Sequence, residues 1–159
     1  MNIERIEKLI NNAIDTYDLN LSGLTVFTEA ASGNYVVTPL IAALAGSDRV
    51  FAITCDSRHG KAADVRDVTL ELAQRWGVDD RVEVVSDKIP SLLSQVDIVT
   101  NLGFVRPIDK EVIAYLKPTA VLPLMWETWE FREADLDLSE CRRVGIMVLG
   151  TNERAVGLD

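Results

Sequence analysis

Leu24-Thr25-Val26-Phe27-Thr28, followed at once by Glu29-Ala30-Ala31-Ser32-Gly33-Asn34-Tyr35, decides the fold. The first five residues are β-branched or apolar without polar alternation, which is the pattern of a strand buried on both faces. The next seven are small or turn-forming, and they lead into the apolar run Val36 to Ala45. A buried strand, a tight small-residue turn and a helix in immediate succession make the first half of a βαβ unit.

Working outward, the same unit recurs. Gly46-Ser47-Asp48 closes the first helix, and Arg49 to Thr54 reads as the second strand. Val65, Val68, Leu72 and Trp76 form the buried stripe of a longer helix that stops at Gly77, and Arg81 to Ser86 is the third strand. A short helical piece from Pro90 to Val96 leads to Asp97–Leu102 as the fourth. Ile108 to Leu116 is helical and Pro118 blocks its continuation. Thr119–Leu124 is the fifth strand, Ser139–Val144 a last short helix, and Gly145–Leu149 the sixth strand. Before all of these, Ile3, Ile6, Leu9, Ile10, Ala13, Ile14 and Tyr17 share one face of an opening amphipathic helix over residues 1–18. Right-handed crossovers between these strands predict an α/β domain of three layers, α-β-α, with a mostly parallel sheet of about six strands. No linker or repeat divides the 159 residues, so residues 1–159 are expected to form one domain.

Composition narrows the function classes. A formal charge of −9 without a basic cluster argues against nucleic acid as a partner, because such binding relies on Lys and Arg neutralising phosphates. No apolar stretch is long enough for a membrane span, and the first residues lack a signal-peptide pattern, so a cytoplasmic location is expected. Cys55 and Cys141 belong to no C-x-x-C pair and are expected to be two buried, reduced thiols. No His/Cys cluster has metal-ligand spacing, and His59 reads as a solvated loop residue. No acid, base or nucleophile set can be assembled around it, so catalytic residues are not assigned.

In a parallel sheet of this kind the ligand crevice lies beyond the carboxyl ends of the strands. After the first strand, Glu29, Ala31, Ser32, Gly33 and Asn34 let the backbone approach an anion, and the following helix offers free N–H groups. The plain reading of the same residues is a tight turn. Thr38-Pro39 would move that anion site if the helix started there, since proline is favoured at a first helical position. Asp56 stands at the end of the second strand, twenty-three residues after Gly33. That is near the spacing of a carboxylate that holds ribose hydroxyls, although a strand-ending Asp also caps turns. Ser57 and Arg58 follow, and an Arg here accommodates a 2′-phosphate. After the fourth strand, Asn101 and Gly103 would flank the second half of a ligand or simply turn the chain towards Pro107. Trp126 to Arg132 gathers two tryptophans, readable as satellite core, a stacking wall, a contact between copies or a lid.

These residues resemble the Rossmann-like NAD(P)-binding superfamily over roughly residues 20 to 152. Leu21-Ser22-Gly23-Leu24-Thr25-Val26 looks like the entry to the cofactor domain of amino-acid dehydrogenases. Val99–Leu124 and Asp137–Val148 look like part of the D-2-hydroxyacid dehydrogenases. The resemblance implies NAD or NADP as cofactor, Gly33 at the pyrophosphate turn and Asp56 on the adenosine ribose. Of the G-x-G-x-x-G glycines only the middle one survives, with Ala31 and Val36 at the other two positions. Such dehydrogenases also need a second domain, which implies a homo-oligomer or a separate catalytic partner here. A rival resemblance is to class I S-adenosylmethionine-dependent methyltransferases, which end in an antiparallel hairpin. A non-enzymatic nucleotide-sensing or assembly module is the third reading.

Overall fold

A computed structural model describes residues 2–127 and 132–151. Its strands are β1 (Thr25–Glu29), β2 (Arg49–Ile53), β3 (Val82–Val85), β4 (Ile98–Val99), β5 (Val121–Glu127) and β6 (Met147–Thr151). Its helices are α1 (Ile3–Thr16), α2 (Thr38–Leu44), α3 (Ala62–Arg75), α4 (Pro90–Leu93), α5 (Lys110–Tyr115) and α6 (Leu138–Val144). The sheet order is β3-β2-β1-β4-β5-β6, and every pairing is parallel. The order reverses between β1 and β4, so the strands run outward from a central pair in two directions. This is the doubly wound Rossmann-like arrangement.

Strand alternation divides the core in two. Val26, Val50, Ala52 and Val82 pack with Leu40 of α2 and with Val65 and Leu72 of α3. Phe27, Phe51, Ile53 and Val99 pack with Leu93 of α4, Ile113 of α5 and Cys141 of α6. Both faces of the sheet are therefore buried over its centre, which is why the central strands read as continuous apolar runs.

The starts of α1, α5 and α6 are fixed by side chains. Asn2 accepts the Arg5 N–H at 3.0 Å, Asp109 that of Val112 at 3.0 Å, and Asp137 that of Glu140 at 2.8 Å. Each satisfies a first-turn donor that the helix itself cannot. At the amino end of the sheet, Asp97 joins three strands. Its Oδ2 accepts the Thr25 N–H at 2.9 Å, its Oδ1 pairs with Lys117 Nζ at 2.7 Å, and its backbone carbonyl accepts the Val121 N–H at 2.8 Å. Burial works to raise the Asp97 pKa, but the bonds from Lys117 and Thr25 outweigh it and hold the carboxyl below its ordinary value.

Four expectations are corrected. The fourth strand is shorter than Asp97–Leu102, because the chain turns after Thr100 and folds over the end of β1. The helix after β1 is delayed: a 3-10 turn, Gly33–Val37, comes first, and α2 starts at Thr38 with Pro39 in its first turn. Glu29 is the last residue of β1 rather than part of the loop. Cys55 is exposed, because the burial of β2 ends at Thr54, while Cys141 is buried and its thiol is pushed up to about 11 by desolvation. Of the tryptophan segment, residues 128–131 lie outside the described residues, as does the tail from Asn152. Among the described residues no helix is long and apolar enough to cross a membrane.

Candidate functional site

The carboxyl ends of β1, β2 and β4 bring three loops together. Ala30 N–H donates to the Ile53 carbonyl at 2.9 Å, carrying the β1–β2 pairing one residue beyond the strand. Gly33 has a φ of +70°, a backbone state in which a side chain is strained, and nothing lies within 4 Å of where its Cβ would stand. The turn around it is thus held open by conformation. Its neighbour Ser32 meets the second loop, since a Cβ on Gly60 would stand 3.3 Å from the Ser32 Cβ. Asn34 is exposed beside Gly33, and Ala31 and Ser32 are half-buried.

In the second loop Ser57 and Gly60 exchange backbone hydrogen bonds at 3.0 and 3.4 Å, closing a tight turn. Asp56 precedes it, and both of its oxygens are engaged. Oδ2 pairs with Lys61 Nζ at 2.8 Å, and Oδ1 accepts the Ala62 N–H at 2.9 Å. The bond from Lys61, then that from Ala62, holds this exposed carboxyl below its ordinary value. Asp56 therefore supplies the cap of α3, whose N-cap residue Lys61 offers no acceptor. Arg58 donates from Nε to Nε2 of the exposed His59 at 2.9 Å. A cavity of about 750 Å³ opens between α3 and β3, on the outer side of this loop and away from the β1/β4 crevice, with Ala62, Arg66, Val84 and Ser86 in its walls.

The third loop closes on β1 through a buried carboxylate. Glu29 is 6% exposed, and its Oε2 accepts the Phe104 N–H at 2.8 Å. A Cβ on Gly103 would stand 3.3 Å from that same oxygen, so only glycine lets the loop approach this closely without displacing Glu29. Burial raises the Glu29 pKa above its ordinary value, against the opposing effects of the Phe104 N–H and the Arg106 charge. Arg106 pairs with Asp135 at 2.9 Å, so the segment preceding α6 is tied to the same corner. Asn101 is fully buried under the loop, and Thr100 donates from Oγ1 to Thr28 Oγ1 at 2.8 Å. Lys88, half-buried after β3, donates to the Pro107 carbonyl at 2.7 Å, and burial pushes its pKa down.

Glu29 and Gly103 thus meet at the reversal of strand order, with Ala31, Ser32, Gly33 and Asn34 on the loop after β1 and Asn101 on the loop after β4. Asp56, Ser57 and Arg58 stand on the adjoining turn. Arg106, Asp135 and the Phe104 amide belong to the same corner and carry no local sequence signal: the Arg106–Asp135 pair spans 29 residues and exists only through the sheet order.

With this geometry, the chain is similar in fold to dehydrogenase-type proteins. It superposes on shikimate 5-dehydrogenase from Listeria monocytogenes, solved with shikimate and NAD, with a TM-score of 0.60 at 12% identity over 87% of this chain and 49% of that one. For quinate dehydrogenase from Corynebacterium glutamicum, solved with NAD, the TM-score is 0.54 at 15% identity, over 88% and 48%. For 5-ketofructose reductase of Gluconobacter sp. strain CHM43 it is 0.56 at 16% identity, over 86% and 48%. The chain spans about half the length of these solved structures. No protein-family model matches the chain, and no match was found among curated proteins. The likeness shows the Rossmann-like fold. The parallel pairing of β6 with β5 agrees with the dinucleotide form of that fold, where the methyltransferase form would end in an antiparallel hairpin.

Proposed function

We propose that this chain binds a dinucleotide of the NAD(P) type across the carboxyl ends of β1, β2 and β4. The observation that carries this reading is the reversal of strand order between β1 and β4, with the open Gly33 turn on one side and the Asn101–Gly103 loop on the other. In open α/β sheets that crevice is where ligands bind. The residues fit such a group: the turn at Gly33 has open space beside it, Ser32, Gly33 and Asn34 would turn their backbone to an anion there, and Asp56 presents an exposed carboxylate just beyond the end of the neighbouring strand. Bound there, a nicotinamide dinucleotide would supply hydride exchange. The chain's own part is to hold and orient it, with Gly33 at the pyrophosphate and Asp56 at the adenosine ribose. Arg58 lies on the same turn and would meet a 2′-phosphate with its terminal guanidinium nitrogens, while Lys61 would have to leave its pair with Asp56 to do so. The structural neighbours are about twice as long, and the substrate side of such a site is proposed to come from residues outside this domain.

Calorimetric titration with NAD, NADH, NADP, NADPH, S-adenosylmethionine and S-adenosylhomocysteine tests this. One nicotinamide form should bind, and Asp56→Ala should weaken it by about 10- to 100-fold, the loss of a charge-assisted hydrogen-bond pair. Asp56→Asn keeps an acceptor for the Ala62 N–H, so it separates ribose binding from helix capping. Binding of S-adenosylmethionine or S-adenosylhomocysteine alone, or of none of the six, would overturn the assignment.

A further inference from the structure

The cavity of about 750 Å³ between α3 and β3 has a polar end and an apolar end. Ala63, Arg66 and Leu70 of its wall stand at i, i+3 and i+7, so they share one flank of α3 and step down it over about two turns. As the crossover between two parallel strands, α3 runs opposite to both, which sets its first turn beside the carboxyl ends of β2 and β3. There Thr54, Arg66, Ser86 and Asp87 line the cavity; farther down, its walls are Leu70 and Val84, both half-buried. Because β3 is an edge strand, no neighbouring strand covers this side. Thr54 is 5% exposed, and its Oγ1 is buried with no hydrogen-bond partner. A buried hydroxyl costs stability until something bonds it. Arg66 and Asp67 stand exposed in the wall without a side-chain hydrogen bond or ion pair among the described residues, and Asp87 is bonded by the neighbouring Ser86 hydroxyl at 2.7 Å.

We propose that this cavity is a second ligand site, separate from the dinucleotide crevice, and that it takes a free α-amino acid with an apolar side chain. The carboxylate lies at the first-turn end, where the Arg66 guanidinium meets it with two parallel hydrogen bonds and the Thr54 hydroxyl donates a third. The amino end of α3, a helix of 14 residues, favours negative charge at the same place. The ammonium faces Asp87, and Asp67 adds negative charge at the rim. The side chain runs down the cavity along Leu70 and Val84, burying its hydrocarbon against theirs. Both signs of charge in one wall select a zwitterion. A simple carboxylate would meet Asp67 and Asp87 with no positive group of its own, and a simple amine would leave Arg66 and Thr54 unbonded. The volume lies in the range of small-molecule pockets and accommodates a side chain as large as that of phenylalanine.

Titration of the chain with L-leucine and L-phenylalanine, followed by amide chemical shifts in nitrogen-15 spectra, tests this without any nucleotide present. At least one of the two should bind, with the shifts concentrated on α3 and the end of β3. Two analogues of leucine each lack one charge: 4-methylpentanoate has no ammonium and 3-methylbutylamine no carboxylate. Each should bind about tenfold more weakly than leucine or worse. Arg66→Gln, an exposed position, should weaken binding by about tenfold or more. Thr54→Val removes the unbonded hydroxyl and keeps the branched shape, so it should weaken binding while the melting temperature is held or raised. Failure of both amino acids to bind at about 10 mM, or binding that neither variant weakens, overturns the site. An analogue that binds as tightly as leucine overturns the choice of a zwitterion. Because no nucleotide is added, each result stands apart from the dinucleotide assignment.

Discussion

Phe27→Ala should lower stability by about 3–5 kcal/mol, the range for truncating a fully buried aromatic. Phe27 is 0% exposed in the middle of β1, and β1 pairs with β2 on one side and β4 on the other. Its ring packs in the cluster shared by α4, α5 and α6, which cannot close over the void without moving the sheet. Against a domain stability of about 5–15 kcal/mol, this single change takes a large share. Urea denaturation should show a lowered midpoint with an unchanged slope, and a midpoint within error of wild type would contradict this account of the core.

The second large effect concerns Glu29, and its size depends on pH. Glu29→Ala leaves the Phe104 N–H without its acceptor and should destabilise by about 1–3 kcal/mol at neutral pH. Glu29→Gln keeps an acceptor of the same length and removes the buried charge. Because burial raises the Glu29 pKa from 4.5, the native state holds this proton more tightly than the unfolded chain. That favourable contribution is fully present below the unfolded value and is lost as pH rises through the folded one. At pH 7 the wild type therefore carries an uncompensated desolvation that the glutamine variant does not. Thermal melts should place Glu29→Gln above wild type at neutral pH, with the gap closing as the pH is taken below 4.5. Equal losses for alanine and glutamine at pH 7 would show that the charge itself, paired with Arg106, holds the loop.

The sheet was legible because its central strands are continuous apolar runs bounded by Gly-Ser-Asp, Gly77 and Pro118. Their ends were harder to read. Leu102 is apolar enough to extend β4, yet the strand stops at Val99 because the chain must turn to put Gly103 over Glu29, a contact between residues far apart in sequence. Cys55 looked like core on composition, but it stands just beyond Thr54, the last buried residue after β2. The corner of Glu29, Phe104, Arg106 and Asp135 was hidden for the same reason: its members come from distant crossovers, and only the strand order makes them neighbours. Asp56 was legible as a strand-end carboxylate. Its two bonds to Lys61 and Ala62 could have been anticipated from the missing acceptor at the start of α3.

The knot that Asp97 makes at the amino end of the sheet has a meaning for how such a chain can change over time. One residue fastens β1, β4 and β5 there, its carboxylate through Thr25 and Lys117 and its backbone carbonyl through Val121, so the frame is secured at the pole opposite the crevice. Loops at the crevice are then free to be exchanged, lengthened or re-lettered without undoing the framework. Selection can rewrite what the molecule recognises while the scaffold that presents it is inherited intact.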